Sequence, residues 1–301
     1  MAREIQPERE GQDGIVEIGS DRVTARVKPQ GAELCSLRDA AGEEFLWQAG
    51  EAWPRHAPIL FPIIGRLNDD LLRLGDKRYP IGQHGFARDQ RFDLTEHSGT
   101  GCRFLLRDNP ATHTAYPFAF RLEVSYVVHE ASLAIGYTVT NPAEAPLPFS
   151  IGAHPAFRWP LPGAGQKASH KLEFEQVEEA PVYRPGNVGL LDPTPQPSPV
   201  HGRVLSLRDS VFDGGALVML APASRHVRFS APGAPGLEVA WQGFEQLGIW
   251  MKPGAEFLCI EPWAGHTDFA GRPTEFHHKP ALQILEPGES RSFGHRITLL
   301  G

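Results

Sequence analysis

The chain has 301 residues, 41% of them hydrophobic and 22% charged, with a formal net charge of −7. That balance belongs to a globular chain with a sizeable core and excludes a disordered one. No basic run stands out, so the cationic stripe that binds a phosphate backbone is missing and no nucleic acid is expected as a partner.

Residues 1–12 are charged and lack the apolar centre of a signal peptide. They read as a flexible N-terminal tail on a single domain spanning residues 1–301. No run approaches about eighteen apolar residues, so no membrane span is expected. Cys35, Cys102 and Cys259 are widely spaced and form neither a disulfide framework nor a Cys-x-x-Cys site. Reduced thiols in a cytoplasmic protein are the expectation.

Gly and Pro number 31 and 28, about a fifth of the chain, which favours short strands and turns over long helices. Strands are predicted over 14–18, 22–29 and 32–38, then over 103–107, 120–129 and 132–141. In the last of these Leu133, Ile135, Tyr137 and Val139 share one face at period two. Further strands are predicted over 171–174, 204–207, 217–220, 226–229, 237–241, 246–250 and 257–260. Residues 289–299 read as an edge or closing strand. Helix is confined to a short piece at 276–280 and turns near 51–55. The proline-rich stretch 180–202 lies between strands of the same character, so it reads as a long surface loop rather than a domain linker. The fold class is therefore all-β.

Four segments carry chemistry. In Trp53–Leu67, Gly65 precedes Arg66, so backbone can approach a ligand while the guanidinium donates to vicinal hydroxyls. His56 in the same segment reads as structural. In Gln83–Arg88, His84 has Phe86 and Arg88 close by, an aromatic wall beside polar donors. In Ile151–Phe157, Pro155 pushes His154 toward an extended backbone, with Gly152 and Phe157 flanking it. In Cys259–Trp263, Pro262 restricts Glu261, and Trp263 offers a stacking or desolvating surface that would raise the carboxyl pKa. A carboxylate with two imidazoles is an acid–base set that needs neither metal nor covalent intermediate. The histidines show no metal-binding spacing, so neither metal nor cofactor is expected.

Taken in order, these segments resemble the aldose 1-epimerase (galactose mutarotase-like) family, in its LacX-like subgroup. The resemblance runs from about Ile15 to Leu299. It implies a single large antiparallel β-supersandwich with a sugar cleft across one sheet. It implies Glu261 as general base, His154 as general acid at the ring oxygen and His84 as a second histidine at that oxygen. Arg66 would bind the sugar, with Arg88, Phe157 and Trp263 as further contacts. A sugar-binding aspartate is expected where this chain has Gly215, and Asp213 is the substitute within reach. The implied reaction is interconversion of the α and β anomers of an aldohexose by ring opening and closure. The partner is then a small sugar, phosphorylated or not, for a monomer or homodimer. Two alternatives stay open: a non-catalytic sugar-binding protein on the same scaffold, and a hexose-6-phosphate 1-epimerase in which Arg55, Arg66 and Arg88 meet the phosphate.

Overall fold

A computed structural model of the chain describes residues 14–186 and 188–301. The N-terminal tail expected over residues 1–12 lies outside the described residues. Almost all regular structure is antiparallel β. The largest sheet has nine strands, in the order Val204–Ser206, Lys171–Phe174, His226–Ser230, Gly236–Gln242, Ser290–Leu300, Ser132–Thr140, Arg121–His129, Gly101–Arg107 and Asp93–Ser98. Its long central strands alternate as expected. Leu133, Ile135, Tyr137 and Val139 are buried, and so are Leu122, Val124, Tyr126 and Val128 on the neighbouring strand. Fully burying one such aliphatic side chain stabilises the fold by about 1.5–3 kcal/mol.

Ser290–Leu300 corrects one expectation. It is not an edge strand but sits mid-sheet, paired to Ser132–Thr140 on one side and Gly236–Gln242 on the other. Phe293, Ile297 and Leu299 fill the core from there.

The second sheet orders Leu217–Met219, Gln246–Trp250, Phe257–Ala264, Ile151–Ala153 and Ile59–Leu60, and Ala156–Arg158 pairs beside Ile151–Ala153 on Phe257–Ala264. Phe257–Ala264 is buried along its whole length. Leu258, Ile260 and Ala264 join the core shared with the nine-stranded sheet, while Cys259, Glu261 and Trp263 take the other face, two residues apart. Smaller sheets (Val16–Gly19 with Val23–Lys28 and Glu33–Asp39, Leu71–Leu74 with Lys77–Pro80, and Leu147–Phe149 with Gln283–Leu285) complete the fold. The one α-helix among the described residues is the single turn Pro110–His113, capped by Asn109. Among the described residues, no helix is long and apolar enough to cross a membrane.

Candidate active site

Four backbone segments converge on the outer face of the second sheet. Trp263 lies flat across two neighbouring strands because both carry glycine beneath it. A Cβ at Gly152 or at Gly248 would come within 2.5 Å of the indole. Glu261, two residues back on the Trp263 strand, lies on the same face and lines the same cavity. Gly65 adopts φ +64°, and a Cβ there would run into the Thr267 side chain. The close approach lets Thr267 Oγ1 accept from the Arg66 N–H at 2.8 Å. His84 holds φ +65°, a strained region for a non-glycine residue. Reciprocal bonds hold it there. The His84 N–H donates to the Gly65 carbonyl at 2.7 Å, and the Gly65 N–H donates to His84 Nδ1 at 3.1 Å. Because Nδ1 accepts, the ring proton of neutral His84 sits on Nε2.

The candidate acid–base geometry lies between His154 and Glu261. His154 Nε2 is 3.2 Å from Glu261 Oε2. Their exposures are 6% and 2%, and His84 is 9% exposed, so neither charge nor water is easily held there. Burial pushes the Glu261 carboxyl well above the usual carboxylate range. Burial lowers His154 to about 3, and the Arg88 and Arg55 charges add to that. His84 is lowered too, by burial first and then by His154, Arg88 and Arg55. Aromatic rings supply much of the desolvation. Trp53 stacks on His154 with ring centroids 4.9 Å apart, Trp250 meets it edge-on at 5.7 Å, and His84 lies edge-on at 5.6 Å. The Trp47 indole donates to the Trp53 carbonyl, and buried Glu33 accepts from the His56 and Ala57 N–H groups further along the same segment. His154 Nδ1, Glu261 Oε2 and the Trp263 indole nitrogen are each buried without a hydrogen-bond partner among the described residues.

These groups open onto a cavity of about 730 Å³, which is also lined by Arg66, Arg88, Asp213 and Gly215. Glu261, His154, His84, Arg66, Arg88, Asp213 and Trp263 therefore meet at one place. Phe157 does not. It is fully buried in the shared core, because Ala156 pairs with Cys259 on the site side and period two turns Phe157, opposite Leu258, the other way. His56 also stays off the cavity wall. Arg66 is less free than expected: Nε donates to Asp70 Oδ1 at 2.8 Å, Nη2 bonds Asp70 Oδ2, and Nη1 donates to the Val188 carbonyl. Only its remaining N–H groups can face a ligand.

Trp53, Trp250 and Arg184 line the cavity and were not among the expected site residues. The stretch 180–202, expected as a surface loop, supplies one wall through Arg184, Pro185, Gly189, Asp192 and Gln196. Leu191 ties that wall to the site strand's continuation, its N–H donating to the Asp268 carbonyl at 2.8 Å. Position 53 opens the first motif, which was the available signal; nothing local marks Arg184. His154, Cys259 and Glu261 also offer three possible metal-ligand atoms within 4.8 Å of one another. Cys259 lies behind the cavity wall, and a metal there would occupy the two atoms that face each other across the acid–base pair.

Comparison with known proteins agrees with this picture along the chain. The profile of the family described as aldose 1-epimerase matches residues 14–298. The chromosomal LacX protein of Lactococcus lactis subsp. lactis is 31% identical over 296 residues, covering 95% of this chain and 99% of LacX. A galactose mutarotase-like protein from Lactobacillus casei ATCC 334 is 32% identical, with a TM-score of 0.88 over 95% of this chain and 99% of that one. A galactose mutarotase related enzyme from Lactobacillus acidophilus is 30% identical, with a TM-score of 0.87 over 95% and 97%.

Proposed function

Because the chain belongs to the aldose 1-epimerase family, we propose that it interconverts the α and β anomers of a neutral aldohexose, using Glu261 and His154 as one proton-sharing pair. The observation that carries this reading is the 3.2 Å contact between His154 Nε2 and Glu261 Oε2 in a water-poor pocket. At that distance the two groups titrate together. With one proton between them they are either carboxylic acid and imidazole, or carboxylate and imidazolium. Burial favours the first form in the empty site. Hydrogen bonds from sugar hydroxyls to the carboxylate favour the second.

The proton count of the reaction suits such a pair. Glu261 takes the proton of the anomeric hydroxyl while His154 gives one to the ring oxygen, and the C1–O5 bond breaks. The pair is then neutral and the sugar is an open aldehyde. Rotation about C1–C2 presents the other carbonyl face. Ring closure returns the proton to the anomeric oxygen and restores the imidazolium. No net proton enters or leaves, so the pair needs no resetting. His84, with its proton on Nε2, donates to the ring oxygen as negative charge grows there. Trp53 and Trp263 offer ring faces to the C–H faces of the sugar.

A merely sugar-binding protein gains nothing from a desolvated carboxyl opposed to an imidazole, which costs stability. A phosphorylated substrate would need free cations. Arg66 is paired with Asp70, and Arg55 with Asp89, which also flanks Arg88. Arg184 is left without an ion pair among the described residues, but Asp213 and Asp192 line the same wall, and together these features favour a neutral sugar. The test follows the optical rotation of freshly dissolved α-glucose and α-galactose. Faster decay with the protein, abolished in Glu261→Gln, is expected; no acceleration of any aldose would remove the reading.

A further inference from the structure

We propose that Arg184 and Asp213 form a clamp for two adjacent hydroxyls of the sugar, making Arg184 a specificity-determining residue on the wall that the loop 180–202 builds. This inference rests on the proposed sugar 1-epimerase reading and assigns the second polar wall of the same cavity.

The backbone presents Arg184 rigidly. Tyr183 exchanges both backbone hydrogen bonds with Val218, at 2.9 and 3.0 Å, and the Asp192 N–H donates to the Arg184 carbonyl at 2.9 Å. The side chain then lies along Gly214, where a Cβ would sit 3.5–3.7 Å from Arg184 Cδ, Nε and Cζ. Nη1 donates to the Gly215 carbonyl at 2.8 Å, which fixes the plane of the fork. Gly215 itself adopts φ +82°, with Pro185 packed 3.1 Å from where a Cβ would stand. A side chain is disfavoured there on both counts. The carboxylate expected at 215 is thus replaced by a backbone carbonyl holding a guanidinium.

Arg184 differs from the other cavity arginines in having no carboxylate within 4.0 Å among the described residues. Its Nη2 has no hydrogen-bond partner among them, and Nε is buried without one. Asp213 is the charge that acts on it, from the same wall, and the Asp213 carboxylate also accepts no hydrogen bond from a described residue. A donor fork beside an open acceptor matches a vicinal diol, because each hydroxyl both donates and accepts. An oxyanion suits the site poorly, since Asp213 and Asp192 share the wall and would repel it.

The test measures sugar binding by calorimetry, and KM and kcat by polarimetry, for wild type, Arg184→Met and Arg184→Lys, with glucose, galactose, their single-deoxy analogues and glucose 6-phosphate. Arg184→Met should raise Kd and KM for the preferred aldose about 10–100-fold, with kcat held within about threefold, as loss of uniform binding requires. Arg184→Lys should fall between, since it keeps the charge but loses the fork. One deoxy analogue should bind wild type and Arg184→Met equally within about twofold, identifying the clamped hydroxyl. Should Arg184→Met fail to fold, as judged by its melting curve, the Lys variant carries the same comparison. Unchanged Kd and KM in the folded variant would overturn the clamp. So would a loss confined to glucose 6-phosphate, which would make Arg184 an oxyanion contact. Wild type that neither binds nor epimerises any aldose would instead remove the proposed function; wild type that does both, with a variant that matches it, removes only the clamp.

Discussion

The two large sheets of this protein bury their side chains to different ends. In the nine-stranded sheet, burial is apolar on one face and relieved by solvent on the other, as in Ser132–Thr140, where buried and accessible residues alternate. In the sheet carrying Phe257–Ala264, every residue of the central strand is buried, including a carboxyl group. His154 Nδ1, Glu261 Oε2 and Trp263 Nε1 lie there without a hydrogen-bond partner among the described residues. An unsatisfied buried polar group costs about 1–3 kcal/mol. The nine-stranded sheet and the inner face of the second sheet build the shared core, and the outer face of the second sheet draws on that stability to keep a desolvated carboxyl beside an imidazole.

That division predicts different losses from the two sheets. The largest belongs to Glu261→Gln, which keeps the shape of the side chain and removes the exchangeable proton. The epimerisation rate should fall at least about 10²-fold, with the urea midpoint little moved. Polarimetry on the folded variant checks this, and a rate equal to wild type would take Glu261 out of the mechanism. Leu133→Ala, at a fully buried position of the nine-stranded sheet, should do the reverse. It should cost about 2–5 kcal/mol in urea unfolding while the rate per folded molecule stays near wild type. A large kinetic effect would mean the sheets are not separable in this way. Gly248→Ala should do some of both. The added methyl meets the Trp263 ring at 2.5 Å, and such overpacking costs about 1–3 kcal/mol. Because Trp263 adjoins Glu261, a drop in kcat should accompany the drop in melting temperature.

Sequence legibility follows the same division. The long strands at 121–129, 132–140 and 290–300 show alternation, because one face meets solvent and the other does not. Only the central place of the last is hidden, since pairing on both sides leaves no local mark. Ile59–Leu60 and Ile151–Ala153 are buried throughout, and these two and Ala156–Arg158 are too short for alternation to register in the sequence. Yet the acid–base residues sit in or beside such pieces and are legible through another signal, the glycines and prolines that set their backbones. Gly152 is required by Trp263, and Gly65 by Thr267. What stays hidden is contributed across space. Trp53 and Trp250 reach His154 from two separate segments, and Arg184 arrives on a loop whose prolines say nothing about which way it folds. Phe157 is misplaced for a related reason: adjacency to His154 in sequence means little when a strand turns alternate residues to opposite faces.

The smallest expected effect tests how the site keeps its proton. The proposed reaction needs one proton on the His154–Glu261 pair. A second proton must go to His154, whose pKa is lowered to about 3, so the acid limb of the pH–rate profile should lie well below the ordinary imidazole value of 6.5. Removal of the last proton is opposed by the raised pKa of Glu261, which moves the alkaline limb up from the usual carboxylate range. The one-proton form should therefore persist well below the ordinary imidazole range on the acid side and above the usual carboxylate range on the alkaline side. Trp53→Leu removes the ring stacked on His154 and admits water to that face. Solvation favours the imidazolium, so the acid limb should move up toward 6.5 while the rate at pH 7.5 changes only a few-fold. A wild-type limb already at 6.5, or one that Trp53→Leu leaves in place, would mean that the aromatic cage does not set the protonation of the pair.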